Sequence, residues 1–286
     1  MSHSRWKRNV NDDNNGAQNA RNDNLSPPES GNLFADMVMA LRFYSRLPTG
    51  SSPHEVPSLN RIAMAVPLAS LIMGLPGAAV LFICVLGGMP PLFSAVLAVA
   101  VFAVITGAMS EDAAADAADG LFGGASPERR LEILKDSRHG TYGVLAIVFV
   151  VGLKVSALAA IAAVNVFAAA LIWMAAGMIA RSGSLYVAFR LAPARKTGAA
   201  AAVGELSRNA FVLGLVFASI IGVVLAARFT GLMGLGVGLA LAAAVAWGWT
   251  RLCERLVGGS TGDLIGALQA LLEIVLLGTF MRMVVG

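Results

Sequence analysis

Charge is what this chain has least of. Asp, Glu, Lys and Arg make up 13% of its 286 residues, about half the share of an average soluble domain. The shortage is concentrated in places: no charged residue occurs between Ile62 and Ser110, or between Val155 and Ala180. Each run exceeds the roughly 20 apolar residues a helix needs to cross the hydrocarbon core of a bilayer. The chain is long enough to bury a soluble core, so the charge-free runs, not the length, carry the membrane reading. Their spread along the chain excludes a single anchor. Cysteine is nearly absent too: Cys84 lies in an apolar run and Cys253 near a predicted helix end, which excludes a disulfide framework and a cysteine zinc site. The three histidines, His3, His54 and His139, are so far apart that they suggest no metal cluster. The net charge of +4 is scattered through connecting loops, which argues for a positive-inside bias and against a nucleic-acid surface.

What is there has a regular layout. Residues 1–32 are rich in Asn, Asp, Ser and Pro and almost devoid of apolar side chains, a composition that predicts a disordered tail. No apolar stretch follows the early basic residues closely enough for a signal peptide. Leu33 to Leu47 is short and interrupted by Arg42 and Arg46, which predicts a half-inserted helix in preference to a full span. Predicted spans follow at Ile62–Leu86, Leu92–Ser110, Thr141–Ala163, Val166–Tyr186, Phe211–Ala227, Gly231–Trp249 and Leu264–Val285. Three polar stretches separate them, Glu111 to Gly140, Arg190 to Arg208 and Arg251 to Asp263. With the N-terminus in the cytoplasm, the tail and these stretches hold nearly all Lys and Arg on the inner side. The expectation is an all-α, polytopic transmembrane helix bundle of about seven spans, with residues 33–286 forming one membrane-embedded domain.

The first polar stretch carries the most chemistry. Asp112, Asp116 and Asp119 lie at i, i+4 and i+7 with alanines between them, so they share one helix face. Like charges at that spacing repel. A divalent cation with a taste for oxygen offsets the repulsion, and Mg²⁺ is held in this way by a few carboxylates together with substrate phosphates; the plain alternative is a solvated acidic face. Arg129, Arg130, Lys135, Asp136 and Arg138 follow within the same stretch. Such basic residues can clamp a diphosphate, or simply mark an inward-facing loop. Gly258 to Asp263 precedes the last span, where glycines and hydroxyls can present backbone N–H groups to an anion and Asp263 can cap the helix. Glu273 lies inside that span and needs a partner, for which Lys154 is the candidate.

Three segments together resemble the bacterial cobalamin synthase family, the adenosylcobinamide-GDP ribazoletransferases. They are Arg42-Phe-Tyr-Ser-Arg46-Leu-Pro48, the run from Asp112 through Asp119-Gly-Leu-Phe to Arg138-His-Gly, and Thr261-Gly-Asp263-Leu-Ile-Gly266. The resemblance extends from Leu33 to the C-terminus. It implies that a hydroxyl of α-ribazole, or of its 5′-phosphate, attacks adenosylcobinamide-GDP, releasing GMP in the last assembly step of coenzyme B12. It also implies Mg²⁺ on Asp112, Asp116 and Asp119, one of them doubling as base, and substrate contacts from Arg42, Arg129, Arg130, Lys135, Asp136, Arg138 and Asp263. Membrane lipid, a second copy of the chain and enzymes of the same pathway are the further partners it leaves open. Two positions depart from the family pattern: Ser110 stands where a His is usual, and Ala113 where a Gly is usual. CDP-alcohol phosphotransferases share the layout, but this chain lacks the Ala-Arg part of their pattern. A transporter would concentrate polar residues near the midplane, where only Lys154 and Glu273 stand.

Overall fold

The computed structural model describes residues 32–50, 58–136, 138–195, 204 and 206–286. The tail expected over residues 1–32 lies outside them, Asn32 apart, as do His3 and His54. The described residues of 33–286 are mostly helical, with no strand among them. In chain order the helices are α1 (Leu33–Tyr44), α2 (Leu59–Ile62), α3 (Val66–Leu86), α4 (Pro91–Thr106), α5 (Met109–Gly123), α6 (Pro127–Ile133), α7 (Thr141–Val164), α8 (Val166–Ser184), α9 (Tyr186–Arg190), α10 (Arg208–Val257) and α11 (Gly262–Val285).

Five helices, α3, α7, α8 with α9, α10 and α11, are long and apolar enough to cross a bilayer, and the bent pair α4–α5 makes a sixth candidate. The expected seven crossings are reached only by counting that pair as one span and α10 as two. At about 1.5 Å per residue, the 50 residues of α10 would reach far beyond a hydrocarbon core of about 30 Å. Gly231, at φ 67° and ψ 165°, interrupts it. Phe211, Leu215 and Ser219 from one side of Gly231 and Leu239, Ala242 and Ala246 from the other line a single cavity of about 410 Å³. Two halves of a straight rod could not meet there. The chain therefore folds back at Gly231, as the predicted boundary between Ala227 and Gly231 requires.

α8 and α11 form the interior, packed against each other, with α3 and α10 against α8 and α5, α7 and α10 against α11. Small side chains permit the close approach that drives association in lipid: Ala168, Ala169, Ala175 and Ala176 of α8 are all buried. α1 is too short to span and buries one face, Asp36, Ala40, Leu41 and Tyr44. It packs on α3, and Asp36 pairs with Arg61 at 3.1 Å.

One expected span is corrected. Leu92–Ser110 is not continuous, because Gly107 and Ala108 are both left-handed, at φ 65° and 54°. Their consecutive turn ends α4 at Thr106 and sets α5 at 85° to it. The backbone N–H of Arg46 donates to the Ile105 carbonyl at 2.8 Å, which fastens the Arg42–Pro48 segment to this corner. The acidic run thus occupies a helix of its own, beyond the bend of the α4–α5 pair.

The expected Lys154–Glu273 pair is present at 3.1 Å, and Glu111 of α5 joins it at 2.9 Å from the Lys154 ammonium. Lys154 and Glu273 are completely buried. The Trp173 indole N–H donates to Glu273 Oε1 at 2.9 Å, and Ser110 donates to Glu111 Oε2 at 3.0 Å. Buried charge survives only when it is paired and hydrogen-bonded. This cluster meets both conditions and ties α5, α7, α8 and α11 together.

Candidate active site

α5 owes its position to its alanines. Ala113, Ala114, Ala115 and Ala117 are buried, which lets α7 and α11 close on the helix backbone. Gly266 of α11 meets Ala113 so closely that a Cβ on Gly266 would sit 2.5 Å from that of Ala113. The Ala at 113 is therefore accommodated by the absence of a side chain opposite. The remaining face of α5 presents the carboxylates outward: Asp112 is exposed and Asp116 half-buried.

His139 closes over this face from the turn before α7. Its Nε2 lies 3.5 Å from Asp112 Oδ1 and its Nδ1 3.5 Å from Asp116 Oδ1. One donor atom from each of Asp112, Asp116 and His139 falls within 4.8 Å of the others, a spacing that a single cation can bridge. Asp263, at the start of α11, repels both Asp112 and Asp116 electrostatically. Asp119 is placed differently. Its Oδ2 accepts from the Gly140 N–H at 2.6 Å and its Oδ1 from the Gly143 N–H at 2.9 Å. It caps the N-terminus of α7, where a negative charge also meets the positive end of the helix dipole. Gly143 is required there, because a side chain would run into the Asp119 carboxylate.

The expected basic clamp divides. Arg130 is a structural staple: its Nε donates to the Leu121 carbonyl at 3.2 Å and its Nη1 to the Leu256 carbonyl at 3.1 Å, satisfying carbonyls near two helix ends. Arg129 pairs with Glu132 at 2.8 Å on the surface. Arg138 chelates Asp136 through two hydrogen bonds, at 3.0 and 2.8 Å, and these hold the Asp136 carboxyl down at about 2. Lys135 is exposed. Arg42 donates to the Thr49 hydroxyl at 2.9 Å and carbonyl at 2.6 Å, folding its own loop. The N–H groups of the Gly258–Asp263 loop are partly spent as well. Gly258 donates to the Cys253 and Glu254 carbonyls and Ser260 to the Ala192 carbonyl, and Leu264 is capped by Thr261 Oγ1 at 3.2 Å.

Three residues at or beneath the site escaped the sequence reading. His139 was set aside because no other histidine is near it, yet the fold carries it 20 and more positions back onto Asp112 and Asp116. The visible signal was its place one residue before Gly140, at the entry to a span. Ser110, where the family pattern has a His, points instead to Glu111, so the imidazole of this site comes from position 139. Arg195 arrives through backbone pairing. The Ala194 N–H donates to the Ser260 carbonyl at 2.9 Å and the Ser260 N–H to the Ala192 carbonyl at 2.8 Å, a short parallel bridge that lays residues 192–195 beside the loop before Asp263. Glu111 reads in sequence as one more acid of the run, and its inward direction comes from the helix phase alone.

An acidic helix with a histidine over it, inside a helical bundle, does not by itself name a reaction, and comparison with known proteins narrows the choice. The cobalamin-5-phosphate synthase family profile matches residues 36–281. The chain belongs to this family. Curated relatives named adenosylcobinamide-GDP ribazoletransferase include those of Azorhizobium caulinodans, 42% identical over 86% of this chain and 94% of its own length, and Xanthobacter autotrophicus, 41% identical over 86% and 95%. The protein of Bradyrhizobium diazoefficiens, with the same name, is 40% identical over 86% and 93%. No solved structure matches the chain. Family membership spans every element from α1 to α11 and decides against the CDP-alcohol phosphotransferase and transporter readings.

Proposed function

We propose that this chain is an adenosylcobinamide-GDP ribazoletransferase, joining α-ribazole or its 5′-phosphate to adenosylcobinamide-GDP with release of GMP. The single observation that supports the chemistry best is the convergence of Asp112, Asp116 and His139 in a chain of this family. In the reaction a ribazole hydroxyl attacks the cobinamide-linked phosphorus. A new P–O bond forms, the bond to the bridging oxygen of the diphosphate breaks, and GMP leaves with the electron pair. The attacking hydroxyl gives up its proton.

Such a transfer asks the protein for alignment and charge neutralisation more than for covalent help. Asp112 and Asp116 provide an oxygen-rich donor set suited to Mg²⁺, with Asp263 facing them. A bound Mg²⁺ would neutralise phosphate charge and polarise the attacked phosphorus. His139 lies 3.5 Å from each carboxylate, so its neutral imidazole can orient one of them through its single N–H, while its other ring nitrogen turns to accept the proton of the attacking hydroxyl. Asp119 holds the turn that carries His139, through its bonds to Gly140 and Gly143. The proposed setting is the inner membrane of a bacterium with this end of the bundle in the cytoplasm. Its support is that the three basic stretches touch one another at one end: Arg130 reaches Leu256, and Ala194 pairs with Ser260.

The test is a liposome assay of the purified protein with adenosylcobinamide-GDP, α-ribazole and a metal titration, following GMP and cobalamin by chromatography. The expected outcome is Mg²⁺-dependent product, abolished by chelation, with Asp116→Asn slower by at least about 100-fold. A folded wild type that makes no product from either α-ribazole or its phosphate would sink the reading.

A further inference from the structure

Four carboxylates gather around the acidic face, those of Asp112, Asp116, Asp119 and Asp263, and a diphosphate substrate adds more negative charge. Of the cations expected to meet it, Lys135 stands exposed and three arginines are engaged elsewhere: Arg129 with Glu132, Arg138 with Asp136, and Arg130 with two backbone carbonyls. Arg195 is different in three respects. The parallel bridge between Pro193 and Ser260 sets Arg195, two residues past Pro193, alongside Asp263, three residues past Ser260, where their opposite charges attract. One arm of its guanidinium, Nη2, donates to the Leu131 carbonyl of α6, which fixes the direction of the planar group. Its Nε is buried and has no hydrogen-bond partner. A guanidinium held by one arm, with donors to spare, is built for bidentate recognition of phosphate oxygens. A buried donor without a partner costs free energy unless a ligand meets it.

We propose that Arg195, presented by the Pro193–Ser260 bridge, binds the phosphate oxygens of the nucleotide-linked substrate beside the Asp112–Asp116–His139 cluster. The proposal rests on the transferase reading and adds to it an oriented anion-binding group from the second polar stretch. Bonding to the Leu131 carbonyl alone would make Arg195 a staple like Arg130; the unspent Nε and the field at Asp263 argue for more.

Arg195→Gln separates the two roles, since a glutamine amide keeps a donor for Leu131 but loses the charge. Full-length Arg195→Gln and Arg195→Lys are compared with wild type in liposomes, by steady-state turnover and by calorimetric binding of pyrophosphate in the presence of Mn²⁺. Arg195→Gln is expected to raise KM for adenosylcobinamide-GDP roughly 10- to 100-fold and to weaken pyrophosphate by a similar factor, with Mn²⁺ affinity unchanged. Arg195→Lys should recover part of both losses. If Arg195→Gln does not fold, the lysine variant decides, with a raised KM and weakened pyrophosphate expected. An active wild type whose foldable variants keep KM and pyrophosphate affinity within about twofold overturns this role while leaving the transferase reading intact. A wild type that binds Mn²⁺ but no pyrophosphate overturns it too. A wild type that binds pyrophosphate with no turnover overturns the transferase reading, and the binding arm still reads Arg195.

Discussion

Asp119 and Asp116 are the same residue type three positions apart on one helix, and the structure gives them different work. Asp116 faces His139 and feels three other carboxylates, those of Asp112, Asp263 and Asp119, whereas both oxygens of Asp119 are committed to backbone N–H groups at the head of α7. Removing a cap of this kind costs about 1–2 kcal/mol. Asp119→Ala is therefore expected to lower the thermal unfolding temperature while Mn²⁺ affinity, read by electron paramagnetic resonance, falls far less than in Asp116→Ala. Equal losses of metal affinity in the two variants would return Asp119 to the ligand set. The i, i+4, i+7 spacing shows that the three acids share a face, but only the approach of α7 says which of them is spoken for. His139 makes the same point from the other side: its place before Gly140 marks the entry to a span, but only the fold shows that this turn brings it onto α5.

Two glycine-containing corners set where the helices go. At Gly107–Ala108 the chain turns through 85° and frees the acidic helix from the span before it. At Gly231 the backbone enters a region of φ and ψ that essentially only glycine visits, and α10 folds back on itself. No atom lies within 4 Å of a Cβ built on Gly231, so an alanine there meets a purely conformational cost. Gly231→Ala should lose about 1–3 kcal/mol, seen as a lower unfolding temperature in detergent, with KM unchanged in the folded fraction. An unshifted transition would mean that the fold-back does not depend on this conformation. The second corner was legible as a boundary between two apolar runs, because glycine and a short interruption stand there. The first was not: Leu92 to Ser110 is apolar without a break, and hydropathy has no term for backbone handedness.

Across the whole molecule, the cluster of Glu111, Lys154 and Glu273 links the acidic helix to the interior of the bundle. With Lys154 removed, two buried carboxylates lose the cation that pairs with both, a situation that typically costs about 3–5 kcal/mol. Lys154→Met is expected to be strongly destabilised in thermal unfolding. Adding Glu111→Gln and Glu273→Gln should restore part of that stability, since neutral amides tolerate burial better than unpaired charges. A triple variant no more stable than Lys154→Met alone would show that the charges are not the source of the loss. Because Glu111 immediately precedes Asp112, this cluster also sets the rotation of α5, and with it the outward direction of Asp112 and Asp116.

The amino-acid sequence by itself determined the membrane bundle, the helical content, the family and the presence of an acidic face. These follow from hydropathy and helical periodicity, which are local and additive along the chain. Tertiary structure decided which acid caps and which faces His139, that His139 lies over Asp112 and Asp116, and that Arg130 is a staple. Those assignments depend on hydrogen bonds between segments from tens to more than a hundred residues apart, such as Arg130 to Leu256 and Ala194 to Ser260. Such a bond exists only once packing has brought its two ends together.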